Sequence, residues 1–285
     1  MGQPTFSFGA WRPVRDGVFV CTAQPEGVTI GCVLGTDHAL LVDTGSCPDQ
    51  GAALARSVQT QLGRTVDAVV VTHAHFDHWF GLAGLGESPS WGHAGLQREA
   101  RDCVDAEVAY RHGFSPELIV PPSTLVSEPV WIDLGGRHVE FVPCTPAHSN
   151  TDLVVRVPDA DLIFMGDLIE QSDDPDFGPD CTISRWPDVI DEVIAQAGPA
   201  TMLVPGHGLP VDAGFAGAQA DAIRALYSRV RALWTSGVCL SDALNSLAVP
   251  AEVPWPFGLT PVHKALVVIY AELGAETGPH DAIAA

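Results

Sequence analysis

The sequence predicts an α/β protein. Short β-branched runs alternate with helix-patterned stretches along the chain, the signature of strands and helices sharing one architecture. One run, Val66-Asp67-Ala68-Val69-Val70-Val71, is almost uninterrupted and reads as a strand buried on both faces. Directly after it stands Thr72-His73-Ala74-His75-Phe76-Asp77-His78-Trp79, a dense set of histidines with an aspartate. Strand ends are where open α/β sheets keep their ligands. Such a cluster is costly to hold together unless it binds something.

The elements follow in order. Val18–Cys21, Val28–Leu34 and Ala39–Asp43 read as strands, with hairpin-turn chemistry at Gly35-Thr36-Asp37-His38 between the last two. A helix is expected from Cys47-Pro48-Asp49-Gln50 to about Leu62, with Asp49 as its N-cap and Gly63-Arg64-Thr65 ending it. The N-terminal part is thus a β-meander followed by a βαβ unit. Past Gly81 the pattern loosens. A helical stretch from Gly95 to His112 and a proline-rich run follow, an irregular insertion of the kind that either covers a site or merely connects strands.

The second half repeats the style of the first. Val130–Leu134 and His138–Val142 form a hairpin through Gly135-Gly136, and Leu153–Val157 and Leu162–Met165 flank a further turn. A helix from Pro187 to Ala197 and a strand over Thr201–Val204 come next. Three helices close the chain, over about 215–235, 241–247 and 261–273, with Ser241 and Thr260 as caps of the last two. No repeat, low-complexity tract or linker interrupts this, so residues 1–285 read as a single domain, with a metal core over about 18–208 and a helical extension over about 214–275.

Composition narrows the function. A formal net charge of −21, from 35 acidic against 14 basic residues, argues against nucleic acid and against an anionic membrane surface. The partner expected is a small-molecule substrate; the sequence leaves the oligomeric state open, a homo-oligomer included. Seven scattered cysteines without a C-x-x-C pair read as reduced, mostly buried thiols, which points to the cytoplasm. Residues 1–15 contain no apolar signal region, and no stretch reaches the length of a membrane span.

Three later strand ends each present one ligand-type residue: His148 in Cys144-Thr145-Pro146-Ala147-His148, Asp167 in Met165-Gly166-Asp167, and His207 in Val204-Pro205-Gly206-His207-Gly208. Singly, a histidine after a strand is more often a hydrogen-bonded structural residue, and Gly-Asp is ordinary turn chemistry. Imidazole and carboxylate together suit zinc, and less selectively iron or manganese.

In combination the pattern H-x-H-x-D-H, then His, Asp and His, resembles the metallo-β-lactamase superfamily of metallohydrolases from about Val18 to Gly208. The resemblance implies a four-layer αββα sandwich with extra C-terminal helices, and two metal ions at one edge between the sheets. It implies that His73, His75 and His148 hold the first ion, that Asp77, His78 and His207 hold the second, and that Asp167 bridges them. Two zinc ions are the expected cofactors, with iron or manganese as substitutes. Two ions so placed can share one hydroxide, whose pKa falls from about 15.7 in bulk water to about 7 at a single zinc. Asp77 and Asp167 are the catalytic candidates, Asp77 orienting the nucleophile and carrying its proton. Asp43 matches an acidic residue that steadies a ligand histidine through its other ring nitrogen.

The ligand set is similar to that of the glyoxalase II-like, lactonase-like and general bacterial hydrolase branches. Zinc β-lactamases lack the bridging aspartate. Leu168-Ile169-Glu170-Gln171 has no tyrosine of the kind acyl-homoserine lactonases place there, and Lys264 alone does not make a glutathione site. The function expected is a dinuclear zinc hydrolase of a small ester, thioester, lactone or amide, with Trp79, Phe80 and Phe177 as candidate pocket walls. The alternative is a mononuclear iron persulfide dioxygenase using His73, His75, His148 and Asp167. A non-catalytic metal scaffold fits poorly, because a structural zinc site does not need open coordination.

Overall fold

The computed structural model describes residues 6–102, 106–247 and 254–281. Around the long antiparallel pair β3 (Val18–Gln24) and β4 (Val28–Leu34) gather β1 (Ser7–Phe8), β2 (Arg12–Arg15) and β5 (Ala39–Val42). Next to β5, the strands β6 (Ala68–Val70), β7 (Ser90–His93) and β8 (Thr124–Val126) continue in parallel. In the second half β9 (Val130–Asp133), β10 (His138–Pro143), β11 (Leu153–Val157) and β12 (Leu162–Glu170) are antiparallel neighbours, and β13 (Met202–His207) joins β12 in parallel. The two halves meet where His207 of β13 lies opposite Val28 of β4.

Strand alternation explains the layering. On β5, Leu40 and Val42 point one way and Leu41 the other; on β6, Val70 and Val69 divide likewise. Leu40, Val42 and Val70 pack against Phe141, Val155 and Phe164 of the second sheet, so one apolar layer lies between the sheets. Leu41 and Val69 face outward onto Leu54 and Val58, at the end of α1 (Pro48–Ser57) and just beyond it. On the far side Val154, Ile163 and Leu203 face α5 (Trp186–Ile194, after α2 Phe76–Trp79, α3 Leu96–Asp102 and α4 Ala106–Arg111), through Ile190. The same layer takes in Ile223 of α6 (Ala213–Thr235), Ala243 of α7 (Leu240–Ser246) and Ile269 of α8 (Leu259–Asp281). Three apolar layers therefore separate four structural ones, the αββα sandwich with added C-terminal helices.

Several expectations need correction. Cys47, in extended conformation, occupies the N-cap of α1, and Asp49 lies in its first turn. There its charge still favours the helix N-terminus. The helix widens into a π-type turn over Val58–Leu62 before Gly63 ends it with φ of 69°. Extended Cys239 caps α7, leaving Ser241 inside the helix, and α8 begins before Thr260. A hydroxyl caps only where its own backbone is still extended. At α6 the extended Asp212 caps with its carboxylate, accepting from the Phe215 amide at 2.9 Å. The expected helix over 95–112 is α3 and α4, with residues 103–105 outside those described. Among the described residues no helix is long and apolar enough to cross a membrane.

Candidate metal centre

The centre is assembled by the ends of β5, β6, β12 and β13 and by the loop after β10. Asp43, directly past β5, is held at φ of 63°, a left-handed conformation uncommon for a residue with a side chain. Its carboxylate does three things. Oδ1 accepts the Thr72 amide at 2.8 Å, and Oδ2 accepts the Thr72 hydroxyl at 2.9 Å and His78 Nδ1 at 2.8 Å. With its proton committed to Asp43, the Thr72 hydroxyl accepts from His73 Nδ1 at 3.0 Å. Each histidine thereby keeps Nε2 as a lone pair, the form a metal requires.

The loops are also tied across the molecule. The Leu153 amide donates to Thr72 O at 2.8 Å, and the Ala74 amide to Thr151 Oγ1 at 2.9 Å. These bonds bring His148 beside His73 and His75. The three rings stand 4.6 to 4.9 Å apart at 80° to 87° to one another, so each is edge-on to the other two. Trp186, fully buried and donating to Leu168 O at 2.9 Å, backs the His148 ring at 5.2 Å. His75 Nε2 lies 3.2 Å from Asp180, which leaves its Nδ1 free.

A second group faces the first. Asp77 Oδ2 lies 3.3 Å from His207 Nε2, which lies 3.4 Å from His78 Nε2. Asp167 sits between the groups: Oδ1 is 3.1 Å from His78 Nε2, and Oδ2 is 3.6 Å from both His73 and His207 Nε2 and 4.0 Å from His148 Nε2. The donor atoms of His73, His75, His148 and Asp167 lie within 4.8 Å of one another, as do those of Asp77, His78 and His207. All seven predicted ligands are therefore brought together, in the predicted grouping. Buried His73 Nε2 has no hydrogen-bond partner, and buried Asp167 Oδ1 meets only His78 Nε2, at 3.1 Å. Orphaned polar atoms at this depth are rare unless an ion satisfies them, so the residues fit a metal pair.

Electrostatics agrees. Burial opposes ionisation of Asp167, but His78, His207 and His73 outweigh it and hold the carboxyl well below the usual range. Burial likewise opposes the charge on Asp77, which His78 and His207 draw down. Against their own burial, His78 is raised well above its ordinary value by Asp167, Asp77 and Asp43, and His207 is raised to about 11, chiefly by Asp167. Protons thus gather where divalent ions would otherwise neutralise the carboxylates, and metal binding must displace them.

Four contributors were not read from the sequence. Thr72 opened the motif without being given a role. Asp180 reaches His75 from a distant loop, and Asp152 Oδ1 lies 3.4 Å from His148 Nδ1. Glu170 approaches Asp167 and His207, and burial, reinforced by Asp167, pushes its carboxyl up to about 9. It sits in the very run searched for a tyrosine. Cys144 is excluded from the ligand cluster: burial raises its thiol to about 12, and it bonds Val142 O.

Removing the Asp43 carboxylate releases both tautomer locks. Asp43→Ala is expected to weaken metal binding by about 10- to 100-fold, read by chelator competition. Affinity unchanged from the parent would refute the relay.

The centre floors a cavity of about 550 Å³. Trp79 and Phe80 touch it but are only 2% and 1% exposed, so they serve mainly as core. Phe177 does not line it and packs against Trp186 and Phe257. Glu99 of α3 contributes to the wall, whereas no described residue of the C-terminal helices does.

The family model of the Metallo-beta-lactamase superfamily matches residues 24–227. The chain belongs to the metallo-beta-lactamase superfamily. By that membership it is a metal-dependent hydrolase in class. Among curated superfamily proteins it is 26% identical over 207 residues to a metallo-beta-lactamase type 2 of Bacillus cereus, covering 72% of this chain and 75% of that one. It is 29% identical over 145 residues to the probable metallo-hydrolase YqgX of Bacillus subtilis, covering 49% and 64% respectively. A solved metallo-beta-lactamase from Pontibacter korlensis superposes with a TM-score of 0.61 at 19% identity, over 76% of this chain and 99% of that one. The mono-zinc form of FIM-1 from Pseudomonas aeruginosa gives 0.60 at 20%, over 74% and 94%. These two likenesses establish the fold alone.

Proposed function

We propose that this superfamily member is a dinuclear zinc-dependent hydrolase of a small ester, thioester, lactone or amide. The observation that carries the reading is Asp167, whose carboxylate lies between two converging donor groups, with Oδ1 3.1 Å from His78 Nε2 and Oδ2 3.6 Å from both His73 and His207 Nε2. His73, His75 and His148 would hold one ion, Asp77, His78 and His207 the other, with Asp167 shared. Bound there, the ions would supply Lewis acidity and a water that deprotonates near neutral pH.

The chain's own residues do the rest. Asp43 and Thr72 keep the imidazoles in metal-accepting tautomers, and Asp180 orients His75. Asp77, at the cavity wall and ionised at rest, would orient the attacking water, take up its proton and deliver it to the leaving group. Phe76 and Ile119 form the apolar part of the wall and limit water around the scissile bond.

The mononuclear dioxygenase reading gives Asp77 and His78 only structural duties. Their tips instead converge with His207 as a second donor set, which favours two ions. A β-lactam is not the proposed substrate, since a bridging aspartate at Asp167 is foreign to zinc β-lactamases by the resemblance described above. A cytoplasmic setting is supported by the free thiols among the described cysteines.

The test is turnover of matched esters, thioesters, lactones and amides by metal-loaded protein against Asp77→Ala. A fall in kcat of about 10²- to 10⁴-fold is expected for loss of a positioned acid–base group. Full activity in the variant would remove Asp77 from the mechanism.

A further inference from the structure

β12 turns two carboxylates toward the centre where a regular strand would turn one. Residues three apart on a strand point to opposite faces. Yet one donor oxygen each of Asp167 and Glu170 and a ring nitrogen of His207 all lie within 4.8 Å of one another. The cause is in the pairing: the register with β13 shifts between Gly166 and Glu170, and Glu170 then stands opposite His207. Such bulges re-aim side chains beside active sites. The re-aimed backbone is fastened on both sides. Gln219 of α6, only 7% exposed, accepts the Glu170 amide at 2.9 Å and donates to Leu168 O at 3.0 Å. The Gln171 amide in turn donates to His207 O at 3.1 Å.

The Glu170 carboxylate is half-buried in the cavity wall, and among the described residues nothing hydrogen-bonds or ion-pairs with it. No described lysine or arginine lines that cavity either. The rest of the acidic wall differs: Glu99 pairs with Arg98, and Glu26 and Asp173 are exposed to water. A carboxylate drawn out of water beside a second one is costly unless a cation joins them. Glu170 shares His207 with the donor group of Asp77 and His78, which puts it on the side of the second ion.

We infer that Glu170 is an eighth ligand of the centre, a carboxylate donor to the second ion beside Asp77, His78, His207 and the shared Asp167. The inference rests on the dinuclear reading. It makes the two positions unlike: His73, His75, His148 and Asp167 give the first three imidazoles and one carboxylate, whereas the second has two imidazoles and three carboxylates. Oxygen-rich sets suit harder, more highly coordinated ions, which sets the second position apart in metal preference.

Crystals of the zinc-loaded full chain test this without any variant. A Glu170 oxygen is expected within about 2.2 Å of the ion held by Asp77, His78 and His207. Glu170→Gln keeps the side chain's shape and removes its charge. Chelator competition should then show zinc at that position bound about tenfold or more weakly, with the ion at His73, His75 and His148 far less affected. Anomalous maps at limiting zinc assign the loss to one position. Asp173→Asn removes a carboxylate of the same wall that lies outside the donor groups, and both affinities should stay at the parental level. Two ions with Glu170 bonded to neither, parental zinc affinity at the second position in Glu170→Gln, or equal loss at both positions would overturn the inference and leave the dinuclear centre standing. One ion per parent chain would overturn both.

Discussion

Asp167→Asn is expected to lower kcat/KM by about 10³-fold or more while leaving the fold intact. The side chain keeps its shape, but the bridging charge is lost at the one point where both donor groups meet. In the parent, Asp167 lies 3.1 Å from His78 and 3.6 Å from His73 and His207. Metal assistance is worth several kcal/mol of transition-state stabilisation, and about 4 kcal/mol corresponds to roughly 10³-fold in rate. The amide cannot draw positive charge as the carboxylate does, so metal content should fall as well. Initial rates, metal analysis and a thermal melt check the three parts. Activity within tenfold of the parent at full metal content would contradict the bridging role.

The second large effect is expected from a residue with no functional group. A Cβ on Gly206 would collide with Asp167 Oδ1 and stand only 3.0 Å from its Cγ and from the Gly166 carbonyl carbon. The backbone has little room to yield, because β12 and β13 are paired here, with Gly166 opposite Pro205. Gly206→Ala must therefore displace the carboxylate or part the strands. Overpacking of this kind costs about 1–3 kcal/mol, and the displaced carboxylate should reproduce much of the Asp167→Asn loss in metal and activity. Gly9→Ala, with nothing within 4 Å of the added carbon, is the matched control and should be near neutral. A Gly206→Ala protein with parental metal affinity would show that the close approach of the two strands does not position Asp167.

The residues that made the centre legible in the sequence are those whose chemistry is concentrated. His73, His75, Asp77 and His78 stand together after a buried strand, and His148, Asp167 and His207 each mark a later strand end. Both apolar faces of β5 and β6 were legible for the same reason, since strands buried on two sides carry no polar alternation. β7 and β8 were not. Ser90-Trp91-Gly92-His93 and Thr124-Leu125-Val126 are short and owe their conformation to parallel pairing, the first along β6 and the second along β7, which is a tertiary effect. β12 was expected to stop at Met165 because Gly166-Asp167 reads as a turn; instead the strand continues through irregular register to Glu170 and carries the bridging ligand with it. Asp180 was illegible because its partner His75 is 105 residues away. The acidic wall was hidden for a like reason: Glu26, Glu99 and Asp173 come from three separate segments, and a net charge of −21 gives no hint of where carboxylates converge.

The central claim is that one chain holds two metal ions about Asp167. Anomalous scattering at the metal edges, on crystals of protein whose metal content has been determined, tests it most directly. The account predicts two zinc peaks per chain, one coordinated by His73, His75 and His148, the other by Asp77, His78 and His207, with Asp167 reaching both. A single iron peak on His73, His75, His148 and Asp167, with Asp77, His78 and His207 bonded only to protein, would contradict it.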